Sequence, residues 1–499
     1  MSVLDFIDSD VFTPVYRNDV PMISSPRIEA ICQELQFAVQ NNETVFVYGD
    51  YDMDGFCSVM VWKEVFALMG AKPPVTFKYV DRTHSLDKDI IRQLKNTDAR
   101  VVIICDTGSS VADRTLIRML VNLGYTPIVI DHHSFEGGYM AECEYSLLFN
   151  SFEEKRFLDG CEVSGAYASL LVAKVLCEKY MGCALAFNAK VFSLASMYSD
   201  CVDMSSKMAR ALYSAVASAN VKGPTFMSEL NSWDYLYGRR FFSYIVAPKL
   251  NGCFRSGNLD LLNRAMSADN KFQMRDIARD LQDVHTEAST RTKAFVKEFS
   301  RERFGDIVLC IHELTEETSL LNIRNFTGVI ATQIAEQEQS AVVVVVKDNR
   351  VYYGSVRDYY NRDLLGTFRL FCQAGGHPSA FGISFASMIE FRRYISQLGD
   401  KLTAGYEKPY VILSSGVIEG EDDLNALALY NEFMNIKPKV LVSHKCDNPR
   451  LVRSTKFSKY YDIGLRTTKA LMTKRPLIAG STVLIEPAIC RGVELREME

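Results

Sequence analysis

Three short apolar runs in this chain each end in acids or histidines. Thr44–Tyr48 (TVFVY), Val101–Cys105 (VVIIC) and Pro127–Ile130 (PIVI) are short and rich in β-branched and aromatic residues, so each reads as a buried strand. Between them, Ser58–Met69 and Ser110–Leu123 carry apolar residues at helical spacing. That alternation predicts an α/β fold with a parallel sheet and helices on both faces. The runs are followed by Gly49-Asp50-Tyr51-Asp52-Met53-Asp54-Gly55, by Asp106-Thr107-Gly108 and by Asp131-His132-His133. Open parallel sheets bind ligands at the carboxyl ends of their strands. Three such endings at one edge predict a single converging site.

The remainder of the chain divides by pattern. Residues 160–215 read as helical with a break at Ser199–Asp203, and 216–265 are mixed, with a loop-like Ala247–Arg255. Met274, Ile277, Leu281, Val284, Ala288, Phe295 and Phe299 keep near-heptad spacing, predicting a long helix capped by Ser267 and able to bridge two domains. Strands resume at Ile307–Ile311, Ala341–Val346 and Val351–Gly354, so a smaller α/β domain is expected over 301–405. Beyond it, strand-like Tyr410–Leu413, Lys439–Ser443 and Ser481–Glu486 flank a helical stretch at Asp422–Asn435, predicting a C-terminal α+β or β-rich domain. The expected division is 1–215, 216–300, 301–405 and 406–499, in keeping with about three domains for 499 residues.

Charge and cysteine usage set limits on function. With 56 basic and 61 acidic residues the net charge is −5, so a global basic field for nucleic acid is excluded, and any positive charge must be local or supplied by metal. The 13 cysteines are dispersed without a C-x-x-C pair, which reads as reduced thiols in a cytoplasmic protein. The longest aliphatic run, Ala341–Val346, is far below the ~20 residues of a membrane span, and the acidic N-terminus has no signal-peptide pattern.

Asp50, Asp52 and Asp54 alternate ahead of a glycine. Alone, such a turn is equally a solvated loop. A calcium loop is excluded, because its twelfth position is Val61. Asp106 alone could be a helix cap, and Asp131-His132-His133 a turn with one packed imidazole. On one sheet edge, however, the set of carboxylates and imidazoles suits Mn²⁺ or Mg²⁺, while the lack of thiolates argues against structural zinc. Two ions about 3.5–4 Å apart activate water for in-line displacement at phosphorus.

These motifs resemble the DHH phosphoesterase superfamily and, within it, the RecJ-type single-strand-specific exonucleases. The resemblance rests on GDYDMDG at 49–55, DTG at 106–108, DHH at 131–133, Asp200 after a helix, and Ala247, Pro248, Asn251 and Arg255 of an APxxNxxxR motif. In the second, DHHA1-type domain it rests on Gly354-Ser355-Val356-Arg357 and on Gly375-Gly376-His377 with Ala380 and Gly382. It covers about residues 40–390. It implies metal ligation by Asp50, Asp52, Asp54, Asp106, His132 and Asp200, with Asp54, Asp106 and His133 at the chemistry. Ser355, Arg357, Gly375, Gly376 and His377 are implied to bind substrate phosphate, joined by Arg82; Asn251 and Arg255 either pin the linker or touch nucleic acid. An arginine grips phosphate bidentately and glycine N–H groups allow its close approach. The chain departs from the family after Val80, where only Arg82 fits, and after Asp200, where Ser205–Arg210 replaces G-E-N-R.

The implied activity is 5′→3′ hydrolysis of single-stranded DNA to 5′ mononucleotides with two Mn²⁺ or Mg²⁺ ions. The rivals are a phosphodiesterase of short RNA or cyclic dinucleotides, and a non-catalytic scaffold. Lys437–Arg475 holds eleven Lys or Arg against two Asp, interleaved with Phe457, Tyr460 and Tyr461. That pattern suits single-stranded nucleic acid or replication and repair partners.

Overall fold

The computed structural model describes residues 19–70, 75–77, 86–133, 147–217, 219, 225–230, 237–268, 270–314, 323–348, 350–360, 362–402, 410–414, 418, 421–433, 439–447, 449–454, 459–463, 465, 471–473, 476–479, 481–489 and 493–497. Its first sheet contains β1 (Val45–Gly49), β2 (Val75–Phe77), β3 (Val101–Cys105), β4 (Thr126–Asp131) and β5 (Leu147–Asn150). All are parallel, in the order β2-β1-β3-β4-β5. The helices that build on it are α1 (Pro26–Gln40), α2 (Met53–Leu68), α3 (Arg114–Asn122), α4 (Gly165–Val175) and α5 (Phe187–Ser199).

Residue parity sorts the two faces of this sheet. Val47, Ile103 and Ile128 join one core with α1, α2, α4 and α5. Phe46, Val102, Ile104 and Val129 join another with Leu116, Ile117 and Leu120 of α3. β1 and β3 are buried throughout, as strands covered on both sides must be. The predicted helices-on-both-faces architecture is therefore present. One boundary moves: α2 starts at Met53 rather than Ser58. The Asp52 carboxylate accepts the Gly55 N–H at 3.0 Å and caps the helix, so the acidic motif is half loop and half first turn.

Two expectations in the connecting region are corrected. Ala247–Arg255 is not a loop but most of α6 (Ala247–Ser256). Pro248 sits in its first turn, where a missing N–H costs nothing. The long helix is α7 (Lys271–Glu298), and its cap is Asn270, whose side chain accepts from Phe272 and Gln273 N–H. Ser267 instead ends the preceding helix and bonds Asn263 O. At 28 residues α7 is about 42 Å long. It buries Ile277 and Leu281 in the first core and Ala288 and Phe295 in the next, so it does bridge two units.

The second sheet has β6 (Ser300–Phe304), β7 (Ile307–Glu313), β8 (Ala341–Asp348), β9 (Val351–Asp358), β10 (Gln373–His377) and β11 (Ala380–Phe385). The order is β10-β11-β9-β8-β7-β6, with only β7 and β8 parallel. α8 (Thr327–Glu338) packs on the face of Val342, Val344 and Val346. α9 (Met388–Leu402) packs on the face of Val343, Val345 and Val356. The C-terminal region forms a seven-stranded sheet with α10 (Glu421–Phe433). It meets the first unit where Arg239 Nη1 donates to Asn431 O at 3.0 Å. Within the basic stretch, Tyr461 is buried in that region's core and so is not a stacking platform, and Phe457 lies outside the described residues. Among the described residues, no helix is long and apolar enough to cross a membrane.

Candidate active site

The carboxyl ends of β1, β3 and β4 meet, with the end of α5, at one point. Asp50 follows β1, Asp106 follows β3, Asp131 ends β4 and Asp200 caps the C-terminus of α5. His132 Nε2 lies 3.1 Å from Asp106 Oδ1, 3.6 Å from Asp54 Oδ2 and 3.7 Å from Asp200 Oδ2. Three overlapping groups have ligand atoms within 4.8 Å of one another: Asp54, His132 and Asp200; Asp50, Asp52 and Asp106; and Asp106, Asp131, His132 and His133. All six residues expected to hold metal are thus brought together, with His133 beside them.

The backbone is shaped for this crowding. Asp106 has φ +60° and Cys201, next to Asp200, has φ +54°; non-glycine residues take such values at a cost. A Cβ on Gly165 would lie 2.7 Å from Asp106 Oδ1, and one on Gly55 would lie 2.2 Å from the Asp50 carbonyl oxygen. Asp54 is held at both oxygens. Gly165 N–H donates to Oδ2 at 2.8 Å, while Ala166 N–H and the Ser196 hydroxyl donate to Oδ1 at 2.8 and 2.6 Å. The N-terminus of α4 therefore points at Asp54 and favours its negative charge.

Electrostatics identify what the cluster is built to hold. Burial, with Asp200 and Asp52 nearby, pushes the Asp54 carboxyl up to about 8. Burial, with Asp54, Asp52 and Asp50 nearby, raises Asp106 well above the carboxylate range. Carboxylates packed this closely repel one another until a cation joins them. Asp131 behaves differently: burial opposes its charge, but His133, His132 and Ser109 hold it well below the usual range. Its Oδ1 accepts from His133 Nδ1 at 2.8 Å and from His132 N–H at 2.7 Å, and its Oδ2 from Ser109 N–H at 3.2 Å. Burial would lower the His133 imidazole, but Asp131, Asp200 and Asp50 outweigh it and push the ring up to about 10.

The second sheet supplies a different surface. Arg357, Ala380 and His377 align across β9, β11 and β10, and Ser355, Gly382 and Gly375 form the next row of the same face. The Ser355 hydroxyl meets Thr327 Oγ1 at 2.9 Å, and Arg357 Nη2 lies against Gly328, both at the start of α8. A Cβ on Gly375 would meet nothing within 4 Å. Burial and Asp200 raise the Cys201 thiol, while Arg239 and Arg357 are near enough to lower it.

Residues 44–216 match the DHH family, N-terminal domain. This segment is a DHH domain. The whole chain has a RecJ-like fold. It superposes on the crystal structure of RecJ in complex with Mn²⁺ from Thermus thermophilus with a TM-score of 0.71 and 15% identity, covering 98% of this chain and 74% of that one. The Mg²⁺ complex from the same organism gives a TM-score of 0.64 at 13% identity, with 98% and 73% coverage. The crystal structure of exonuclease RecJ bound to manganese gives 0.58 at 16% identity, with 77% and 96% coverage. No curated protein sequence matches the chain.

In the DHH domain, the donor set fits a hard divalent cation. It offers carboxylate oxygens and imidazole nitrogen. The nearby thiol of Cys105 is buried and pushed up to about 12, so it stays protonated. Asn251 and Arg255 lie one turn apart on α6. Phe254 of that helix packs edge-on against Tyr51 of the acidic motif at 5.1 Å, and Arg255 O accepts from Asn325 of the second unit at 3.3 Å. Arg82 lies outside the described residues, as does the His377 side chain. The sequence reading overlooked Ser164–Ala166 and Ser196 as the cradle of Asp54. The S-G-A start of an apolar helix was the available signal, but nothing local shows which carboxylate it meets.

Proposed function

We propose that the chain is a metal-dependent phosphodiesterase that degrades single-stranded DNA from the 5′ end and releases 5′ mononucleotides. The observation that carries this reading is the convergence of Asp54, Asp106, Asp200 and His132 at one point of the DHH domain. Asp50, Asp52 and Asp106 form one donor group and Asp54, His132 and Asp200 another, which supports two Mn²⁺ or Mg²⁺ ions. When bound, these ions supply Lewis acidity and a water acidic enough to ionise near neutral pH.

The chain's own residues do the rest. Gly165, Ala166 and Ser196 keep Asp54 oriented and partly neutralised by donors. Asp131 fixes the His133 ring through Nδ1, leaving Nε2 to donate a proton toward a phosphate oxygen as negative charge grows there. Arg357 and the N–H groups around Gly375 and Gly376 hold a second phosphate. A terminal nucleotide then lies between the two grips, and a single strand passes where a duplex is too wide.

The test uses purified full-length protein, Mn²⁺ and single-stranded DNA labelled at either end, with duplex, dinucleotide and cyclic dinucleotide alongside, and repeats it with Asp54→Asn. The expected result is metal-dependent release from the 5′ end of single strands, abolished in the variant. Cleavage of dinucleotides or cyclic dinucleotides alone replaces the exonuclease reading with a small-substrate one. No metal-dependent cleavage of any substrate leaves the fold as a scaffold.

A further inference from the structure

One side chain ties three strand ends together beside the acidic cluster. Asn150 ends β5 and pairs in register with Asp131 at the end of β4. It is fully buried. Its Nδ2 donates to Ser109 Oγ at 2.9 Å, beyond the end of β3, and to the His133 carbonyl oxygen at 3.1 Å, beyond the end of β4. Its Oδ1 accepts from Phe152 and Glu153 N–H at 2.9 and 3.2 Å. Both amide hydrogens and both lone pairs of the oxygen are therefore used. Two backbone N–H groups face one end of the amide and a carbonyl faces the other, which fixes its orientation.

Asp131 closes the circuit. Its Oδ1 accepts from His132 N–H, His133 N–H and His133 Nδ1, and its Oδ2 accepts from Ser109 N–H. Asn150, His133, Asp131 and Ser109 thus form a ring of hydrogen bonds. The main chain at 132–133 is held at its N–H groups by Asp131 and at its far carbonyl by Asn150. The rings of His132 and His133 lie 4.5 Å apart, so a slip of this segment moves both. His132 Nε2 is 3.1 Å from Asp106 Oδ1, and Asp106 stands three residues before Ser109. The circuit therefore sets the imidazole of one loop against the carboxylate of the other.

The local turn does not account for an asparagine here. A side-chain oxygen that accepts from N–H groups two and three residues ahead makes an Asx turn, and aspartate or serine makes a similar one. Only the amide adds two donors, and both leave the turn for the two loops. Ligating and catalytic groups need support that holds them within about 0.5 Å of their working geometry. Asn150 gives that support to both loops at once.

We propose that Asn150 is a positioning residue that clamps the Asp106–Ser109 and Asp131–His133 loops together and so fixes the His132 imidazole against Asp106. The proposal deepens the reading of this cluster as a metal centre and rests on that reading for the second of its two tests.

Asn150→Asp and Asn150→Ser both keep an acceptor for the turn and remove the two donors. The first adds a charge that attracts cations and the second does not, and either folded variant suffices. The first test is amide hydrogen exchange of the metal-free full-length protein. The N–H groups of Ser109, His132 and His133 are expected to exchange roughly 5- to 100-fold faster in the variants, the value of two lost hydrogen bonds, while those of β1 and β3 keep their wild-type rates. The second test is a Mn²⁺ titration without substrate, read by calorimetry, in which the affinity is expected to fall roughly 10- to 100-fold. Faster exchange confined to residues 150–154, or spread equally through β1 and β3, overturns the proposal. Mn²⁺ affinity unchanged from the wild type in both variants overturns it as well. Loosened loops in the variants of a protein whose wild type takes up no Mn²⁺ overturn the metal reading and leave the clamp standing.

Discussion

In the proposed function the two sheets contribute by opposite means. The first concentrates charge: it is parallel, its acids come from strand ends far apart in sequence, and Asp54 and Asp106 are almost fully buried. The second offers access: its relevant strands are antiparallel neighbours, and its floor is exposed at Gly375 and Gly382. Buried carboxylates are tolerable only with fixed donors and, in the working state, a cation. The phosphate grip proposed for it needs only an arginine and approachable backbone, which a local meander of strands supplies. The charged half is accordingly over-determined by α4, Ser196 and Ser109, while the open half is sparsely packed.

The sharpest break between the halves is catalytic. Asp54→Asn or His132→Ala is expected to lower kcat on single-stranded DNA on the order of 10³-fold, as loss of a preorganised charge-stabilising group does, with little change in the metal-free affinity for the strand. Gly165→Ala should approach the same loss, because its methyl group collides with Asp106. Steady-state kinetics together with metal-free filter binding separate the two effects; a large affinity loss in Asp54→Asn would dissolve the division of labour.

Arg357→Lys comes next. It keeps the charge but loses the bidentate fork, and is expected to raise KM about 10- to 100-fold, corresponding to roughly 1.5–3 kcal/mol for hydrogen bonds to a charged group, with kcat nearly unchanged. A fall in kcat alone would move Arg357 into the chemistry.

A smaller effect contrasts adjacent glycines. Gly376 has φ +133°, and a Cβ there would press on Phe381, so Gly376→Ala is expected to destabilise the protein by about 1–3 kcal/mol. Gly375→Ala should leave the melting temperature in place and weaken only the binding of 5′-phosphorylated strands. Differential scanning calorimetry beside a binding titration reads both.

The smallest effect is a pH trend. Asp54 is raised to about 8 and Asp106 is raised also, so without metal the native state holds protons that the unfolded chain, with ordinary carboxylates near 4, has released. Stability is then expected to fall as pH rises from about 5 to 8, and the raised His133 adds to the fall above about 6.5. Saturating Mn²⁺ should raise the melting temperature, more at pH 8 than at pH 5, with a stabilisation of about 2.7 kcal/mol at a hundredfold excess over Kd. A metal-free melting temperature that rises with pH across this window would contradict the repulsion ascribed to the cluster.

Much of this was legible in the residues. The β1, β3 and β4 runs carried their own period and endings, so a parallel sheet with acids at its edge could be read locally, while β2, β5 and the strand order could not. The heptad spacing of α7 announced a helix long enough to join two cores. Boundaries fared less well. Asp52 was readable as a turn acid and serves also as the cap of α2. Pro248 suggested a loop and sits in a first helical turn. Ser267 had cap chemistry, but Asn270 faces the free N–H groups. Tyr461 looked like a stacking residue and is core. In each case the competing conformations have similar local propensities, and packing chose between them.

The sequence by itself determined which residue types were available and at which strand ends and hairpin positions they stood, because strand and helix periods are properties of neighbouring residues. Only the tertiary structure decided which acids face one imidazole, that the start of α4 donates to Asp54, and that Arg357, Ser355 and Gly375 share one face of the second sheet. Those relations depend on strand order, register and close approach between segments distant in the chain, and no local pattern encodes a distance.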